Sequence, residues 1–599
     1  MKKYRAIVGE FVFETALHIG QGEEDFGTNA PLRRNLAGEL IIPATTIAGV
    51  LRTLATRLAL RLQLDGRNKC FALCSKSELK DLWQKGEKIC GCPVCHLFGE
   101  LYPSEKSKDE KDGRASRLWV YDSKLLSREK TFVRDGVGID RTTGVAASAE
   151  SLKYDTEVIP QGARFKLHLE LEQTDENDHK LLAAVLAEWQ AGRLWMGGNV
   201  GRGLGRSKLE QTHFSANDLK THEDLLLYLN EELPEKRGHA DDNWLAKQQT
   251  GARSALRSSA AIAPFVEIQF TLSFNGPFLT NDTTLAAFAG YDHVSLLDGL
   301  PQKDTTLRPL LPGSALRGAL RSHAERIART LATRNAFEKA QRDLTKAQHE
   351  FLQACPACNP AIESDEKPLT KCDKLLSLAN VSYDKEIRDE QICVSCQLFG
   401  SSRRGSRLKI MDAPLSNEPV WKPLDFLAID RFTGGGLEGA KFDAVALWRP
   451  QFSVSFFLEE PQAWELGWLA LVLRDLIDAR IPIGFGSAKG FGQAEATNLK
   501  VRCAFGSFDD WNKIIKDFNL ELQARQVEQP FGFYRIAEFD EKAWQQVKMQ
   551  ERVQACVAAF HKKVRDVERS SNALPKLKHD SYFNGVVDKL YPIEEEQYV

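Results

Sequence analysis

Long uncharged apolar runs are missing from this 599-residue chain, and no stretch approaches the roughly 18 residues a membrane span needs. The opening MKKYRAIVGEFVFE carries lysines but no apolar region leading to a small-residue cleavage site, so it does not read as a secretory leader. A surplus of charge is missing too: 80 Lys and Arg face 82 Asp and Glu, leaving a net charge of −2. That excludes a uniformly basic coat but not a local basic groove, because phosphate binding depends on local contacts. Cysteine is scarce, 12 in all, and ten of these fall in two clusters, at 70–95 and 355–396, leaving Cys503 and Cys556 alone. A disulfide scaffold spreads its cysteines through a small chain, whereas clustered CxxC pairs in a long one read as metal sites. The expectation is a soluble, cytoplasmic protein with no membrane partner. At this length it needs two or more cores.

The chain repeats itself once. Pro43 to Arg52 (PATTIAGVLR) matches Pro312 to Arg321 (PGSALRGALR), and Cys92-Pro-Val-Cys95-His-Leu-Phe-Gly99 matches Cys393-Val-Ser-Cys396-Gln-Leu-Phe-Gly400. Ile139-Asp140-Arg141 then matches Ile429-Asp430-Arg431, and Arg202-Gly203-Leu204-Gly205 matches Lys489-Gly490-Phe491-Gly492. The segment from Phe165 to Gly205 aligns with that from Phe452 to Gly492 without insertion or deletion. Ordered landmarks and an ungapped stretch establish a duplication.

Within each copy, strand and helix patterns alternate. Val266, Ile268, Phe270, Leu272 and Phe274 alternate with polar residues, as do Phe165, Leu167, Leu169 and Leu171, the period of half-buried strands. Ile47, Val50, Leu51, Leu54 and Leu58 keep helical spacing, with Thr45-Thr46, and Ser314 in the second copy, as cap candidates. A second helix runs from Leu181 to Gln190 and from Leu466 to Leu476 before each Gly-rich loop. The fold class expected is α+β: two tandem ferredoxin-like (RRM-like) domains, each a sheet covered by helices on one face. The first copy spans 1–212, a polar linker with a helix 213–262, the second copy 263–503, and a charged, helical extension of unassigned role 504–599.

These landmarks resemble the RAMP superfamily, especially the backbone subunit of type III CRISPR complexes. Leu17-His18-Ile19-Gly20 and the helix starts at Pro43 and Pro312 carry the likeness, and the Cys-x-x-Cys-x-Leu-Phe-Gly element is similar to zinc-bearing variants of type III-D and single-chain effectors. The resemblance covers most of residues 1–503. It implies a fused two-copy backbone subunit with inserted zinc knuckles and thumb hairpins. Expected partners are guide RNA, complementary target RNA and other effector subunits, among them further RAMP proteins and the large signature subunit.

Glycine loops at 197–205 and 484–492 let backbone amides approach phosphate, with Arg202 and Lys489 supplying charge; a plain chain turn is the bland alternative. The helix starts offer N-terminal amides to an anion, with Arg52, Arg317 and Arg321 nearby; a solvated arginine on a helix face is the alternative to each. By resemblance, Arg141 and Arg431 open the thumb that wedges between guide and target. For structural zinc, one per copy, the expected ligands are Cys74, Cys90, Cys92 and Cys95, and Cys355, Cys358, Cys393 and Cys396, with Cys70, His96 and Cys372 as spares.

RNA cleavage needs a base for the 2′-hydroxyl or a carboxylate holding a divalent cation, magnesium or another. In the family an Asp precedes the Pro-Gly-Ser helix and a second follows it by six residues. Asp298 and Asp304 reproduce that spacing, so Asp298 is assigned as catalytic, with His293 and Asp292 as neighbours. In the first copy the same frame reads Asn29 and Asn35. Either that copy does not cut or Asp25, beside Glu23 and Glu24, takes over. The leading expectation is a metal-dependent, RNA-guided endoribonuclease. The alternatives are a non-catalytic RNA-binding scaffold and a guide-processing ribonuclease built on His18.

Overall fold

In a computed structural model the described residues are 3–505 and 534–567, apart from 23–27, 68–69, 72–73, 75, 87–88, 102–112, 128–129, 142–143, 148–152, 257–264, 299–307, 342, 363–368 and 383–386. Asp25 and Asp304 therefore lie outside the described residues.

The alternating segments form the centre of each sheet. In the first copy Tyr4–Phe13 lies between Arg206–Asn217 and Arg164–Leu171, with Leu194–Trp195 and Leu118–Val120 at the edges, all antiparallel. The second copy repeats the plan: Phe265–Phe274 lies between Ala494–Phe505 and Gln451–Glu459, with Leu408–Ile410 at the edge. Even the irregularity repeats. The central pairing shifts register at Glu10/Phe11 and at Gln269/Thr271, a bulge that bends the strand at matching places.

Helices Ala44–Ala59 and Glu176–Gln190 cover the first sheet through Leu51, Leu58, Leu182 and Trp189, all buried against Phe11 and Phe165. Gly313–Lys339 and Ala463–Ile477 do the same for the second. The capping candidates do not cap. Pro43 and Pro312 stand at the N-caps without side-chain cap bonds, and remote carboxylates fill the role: Ala44 N–H donates to Asp122 (2.7 Å) and Gly313 N–H to Asp412 (2.8 Å). One helix-start amide in each copy, Ala44 and Gly313, is thus already taken by the protein's own acid.

The segment between the copies contributes helix Trp244–Ser254, which packs on Glu176–Gln190 and stacks Trp244 on Phe214 at 4.2 Å. The C-terminal extension is not purely helical. Arg535–Phe539 adds a strand to the second sheet beside Ala494–Phe505, and Val547–Arg565 then lies along Ala463–Ile477.

Each copy also extends a hairpin, Phe132–Val137 with Lys153–Val158 and Trp421–Ile429 with Gly436–Trp448. Asp135 faces Asp155 in one and Asp425 faces Asp443 in the other, which fixes their correspondence.

Candidate functional site

The two copies meet head to tail, and the expected site residues divide according to that junction. Its apolar centre joins Trp195 of the first copy to Phe265, Met411 and Phe457 of the second; Trp195 and Phe457 lie 4.6 Å apart, and Lys409 Nζ sits 4.0 Å over the Trp195 ring. Around it, the first copy's Gly-rich loop packs on the second copy's helix start. Gly203 lies so close that a Cβ would stand 2.8 Å from Asp412 N, and its φ of +100° suits glycine alone.

This docking consumes several arginines expected at RNA. Arg317 donates to the Gly201 (2.7 Å), Leu408 (2.9 Å) and Phe399 carbonyls. Arg141 Nε donates to Glu325 (3.0 Å), which Arg321 also engages (2.7 Å). Arg141 and Arg317 reach across because one copy's loops pack onto the other's helix, whereas Arg321 is held by Glu325 and the Gly400 carbonyl of its own copy. Arg202, Arg431 and Lys489 stay exposed, although Arg202 is braced by the Tyr154 hydroxyl at 2.7 Å. Arg52 is half-buried, with Nη2 3.6 Å from Cys95 Sγ; Arg321 and Cys396 repeat that pair at the same distance.

The cysteines gather in two buried four-sulfur groups, Cys70, Cys90, Cys92 and Cys95, and Cys358, Cys372, Cys393 and Cys396, each with all Sγ atoms within 4.8 Å of one another. Each set differs by one member from expectation. Cys74 turns its thiol to the Cys70 carbonyl, and Cys355 packs in the second core with its thiol toward the Ala357 carbonyl (3.4 Å). Cys372 instead accepts from Cys393 N–H (3.3 Å), while Cys92 and Cys393 cap the short helices Pro93–Phe98 and Val394–Phe399. His96 is held by Asp178 at 2.8 Å, away from the sulfurs. Four thiols with N–H···S bonds and a neighbouring guanidinium are a donor set compatible with tetrahedral zinc.

Asp298 lies at the junction. Its backbone N–H donates to the Arg308 carbonyl (2.8 Å), and its side chain is 12% exposed. Arg134, on the first copy's hairpin, places Nη2 3.6 Å from Asp298 Oδ1 and donates from Nη1 to Asp412 Oδ2 at 2.6 Å. Burial pushes the Asp298 carboxyl above its ordinary range and Asp412 adds to the rise, while Arg134, Arg308 and a hydrogen bond from the Gln161 backbone oppose it. Asp298 Oδ1 and Arg134 Nε and Nη2 have no hydrogen-bond partner among the described residues. Arg134 stands against both carboxylates, so among the described residues these side chains do not assemble an octahedral donor set for magnesium.

The hydrogen bonds also re-register the acidic loop. Asn29 and Asp155 exchange backbone-to-side-chain bonds, and so do Asp292 and Asp443; Asn35 N–H donates to Glu39 as Asp298 N–H does to Arg308. The counterparts of Asn29 and Asn35 are therefore Asp292 and Asp298, not Asp298 and Asp304. The first copy closes this loop in a tight turn at Asn35, where the second inserts extra residues after Asp298. His18 is buried with Nδ1 2.8 Å from the Glu157 carbonyl. Asp412, Asp122 and Arg134 escaped the sequence reading; the repeated spacing of Asp122 and Asp412 ahead of the hairpins was the available signal.

A duplicated α+β chain with paired cysteine groups and head-to-tail docking of its copies defines a protein of tandem, self-stacking domains. The RAMP superfamily profile matches residues 10–209 and 294–495, and the chain belongs to that superfamily. It is similar to the CRISPR system Cms endoribonuclease Csm3 of Methanocaldococcus jannaschii, 25% identical over 211 residues, which are 33% of this chain and 76% of that protein. Among the described residues no helix is long and apolar enough to cross a membrane.

Proposed function

We propose that this chain is a two-copy backbone subunit of a type III CRISPR effector that binds guide RNA and cuts complementary target RNA, with Asp298 of the second copy as the catalytic carboxylate. The observation that carries the reading is the internal junction. One copy's hairpin and Gly-rich loop dock on the other's helix start, while the second copy's own hairpin turn, with Arg431 and the 99%-exposed Phe432, and its loop at Lys489 stay uncovered. A heterologous contact of this kind extends by repetition, as a backbone along an RNA requires. Both copies are read as ferredoxin-like, each with one structural zinc, and Arg52, Arg202, Arg431 and Lys489 remain as RNA contacts. Sequence is then read by base pairing and the protein holds the backbone.

Among the described residues Asp298 Oδ1 has no hydrogen-bond partner, and this reading makes it the oxygen that takes the proton of a 2′-hydroxyl. The experiment is cleavage of end-labelled complementary RNA by the complex reconstituted with guide RNA, with magnesium and with chelator, comparing wild type, Asp298→Ala and Asp25→Ala. Loss of one product band in Asp298→Ala with target binding intact supports the reading. Loss of a different band in Asp25→Ala makes the first copy a second nuclease. An unchanged ladder in both variants leaves a scaffold, the reading favoured by the structural use of Asp298 in its contact with Arg134.

A further inference from the structure

We propose that Arg134 is a positioning residue for Asp298, so that the hairpin of the first copy aims the cutting carboxylate of the second. The inference rests on the assignment of Asp298 and names what that assignment lacks, the group that aims the carboxylate.

Arg134 stands on strand Phe132–Val137 with its side chain 10% exposed. Its Nη1 is anchored on Asp412, and the other oxygen of Asp412 accepts from Gly313 N–H at the start of helix Gly313–Lys339. The guanidinium is thereby fixed to a rigid element of the second copy and presents Nη2 to Asp298 Oδ1 at 3.6 Å. The plane of Arg134 also packs 5.2 Å from the Phe132 ring, which limits its swing. A second first-copy group, the Gln161 backbone amide, hydrogen bonds the same carboxylate. Asp298 thus takes its orientation from residues that come before it in the chain and from the other copy.

Arg134 and Asp298 face each other without satisfying each other's hydrogen bonds. Here Nε and Nη2 have no hydrogen-bond partner among the described residues, and neither has Asp298 Oδ1. The carboxylate oxygen suits a hydroxyl proton, and the guanidinium beside it fixes where that oxygen points.

The duplication supplies the internal comparison. Counting back equally from Asp140 and Asp430, and from the facing pairs Asp135–Asp155 and Asp425–Asp443, the position of Arg134 is occupied in the second hairpin by Leu424. The position of Asp298 is occupied in the first copy by Asn35, whose amide closes a turn with Glu39. Acid and guanidinium occur together at the one junction internal to this chain, and both are replaced at the outward positions.

The test is single-turnover cleavage by the guide-loaded complex with Arg134→Ala, Arg134→Lys and Asp298→Ala, with target affinity measured in parallel. Arg134→Ala is expected to slow the Asp298-dependent cut about 100-fold at unchanged target affinity, the scale of a misplaced catalytic group. Arg134→Lys is expected to recover part of that loss. The charged groups facing Asp298 are Arg134, Asp412 and Arg308. Loss of Arg134 removes a cation that favours the carboxylate, so the acidic limb of the pH–rate profile moves to higher pH. A wild-type rate and limb in Arg134→Ala, with the band lost in Asp298→Ala, overturns the positioning role and leaves the nuclease assignment standing. Normal cutting by Asp298→Ala instead removes the parent assignment. Should Arg134→Ala fail to assemble, Arg134→Lys decides: a slower cut at unchanged affinity supports the role, and an unchanged rate overturns it.

Discussion

Arg141 of the first copy donates to Glu325 of the second at 3.0 Å, and neither side chain is more than 8% exposed. Glu325 also receives Arg321 at 2.7 Å and the Ser395 hydroxyl at 2.8 Å. Burial alone would push the Glu325 carboxyl up, but Arg321, Arg141 and Arg329 together hold it below its usual range. Next to this pair Asn359 bonds Asp140 at 3.2 Å, so Asp140 and Arg141 of the first copy are both keyed into the second.

Removing one partner of a buried pair leaves an under-compensated charge. Arg141→Ala is therefore expected to destabilise the chain by about 3 kcal/mol, and Arg431→Ala, at the equivalent but exposed turn, by less than about 0.5 kcal/mol. Denaturant unfolding of the isolated chain checks both. Equal, small effects would show that the Arg141 contact does not hold the copies together. In the reconstituted complex the ranking should change, because there the Arg431 turn gains a neighbour and its loss weakens assembly.

Zinc content separates the sulfur sets. Cys70→Ser and Cys372→Ser should each remove one of two zinc ions per chain, measured by elemental analysis after dialysis, because each thiol belongs to a four-sulfur group. Cys74→Ser and Cys355→Ser should keep both, since those thiols face carbonyls. The reverse pattern would restore the spacing-based sets. Loss of metal should also loosen the short helices capped by Cys92 and Cys393.

The duplication and the sheet strands were legible in the sequence because the landmarks recur in order and the apolar period of two is strict from Phe165 to Leu171. The fourth zinc ligand was not. Cys355-x-x-Cys358 satisfies knuckle spacing, yet the end of helix Leu344–Gln353 carries Cys355 into the core, and only packing brings Cys372 forward. The fates of Arg141 and Arg317 were equally hidden, since local sequence does not say that the copies dock on each other. The acid loop was misregistered by counting back from the prolines, because the extra residues lie between Asp298 and Pro312 and leave no composition signal.

The pH dependence of cutting follows from the surroundings of Asp298. Its carboxyl is raised from the ordinary 3.8, chiefly by burial, with Asp412 adding to the rise and Arg134 and Arg308 opposing it. If the carboxylate is the working form, protonation removes activity, and a raised pKa brings that loss at a higher pH than for an exposed aspartate. The Asp298-dependent band should fall on the acidic side with a midpoint above 3.8, while target binding stays constant. A band whose rate ignores pH down to that value would mean that Asp298 neither takes a proton nor needs its charge.

The C-terminal helix Val547–Arg565 reads as an appendage in the sequence, but it completes the second core. Phe560 is fully buried and stacks on Trp468, with ring centres 5.0 Å apart. Trp468 in turn donates from its indole N–H to the Ala324 carbonyl at 3.0 Å, linking the tail to helix Gly313–Lys339 and so to Arg317 and Glu325. Gly467 permits this approach, because a Cβ there would collide with the Cys556 carbonyl. Phe560→Ala should then cost about 3–5 kcal/mol, the range for truncating a buried aromatic, and Gly467→Ala should push the two helices apart. Thermal unfolding and limited proteolysis check the pair. An unchanged melting temperature in Phe560→Ala would mean that the tail rests on the second copy without stabilising it. A lowered one would make the tail a structural part of the copy that carries Asp298.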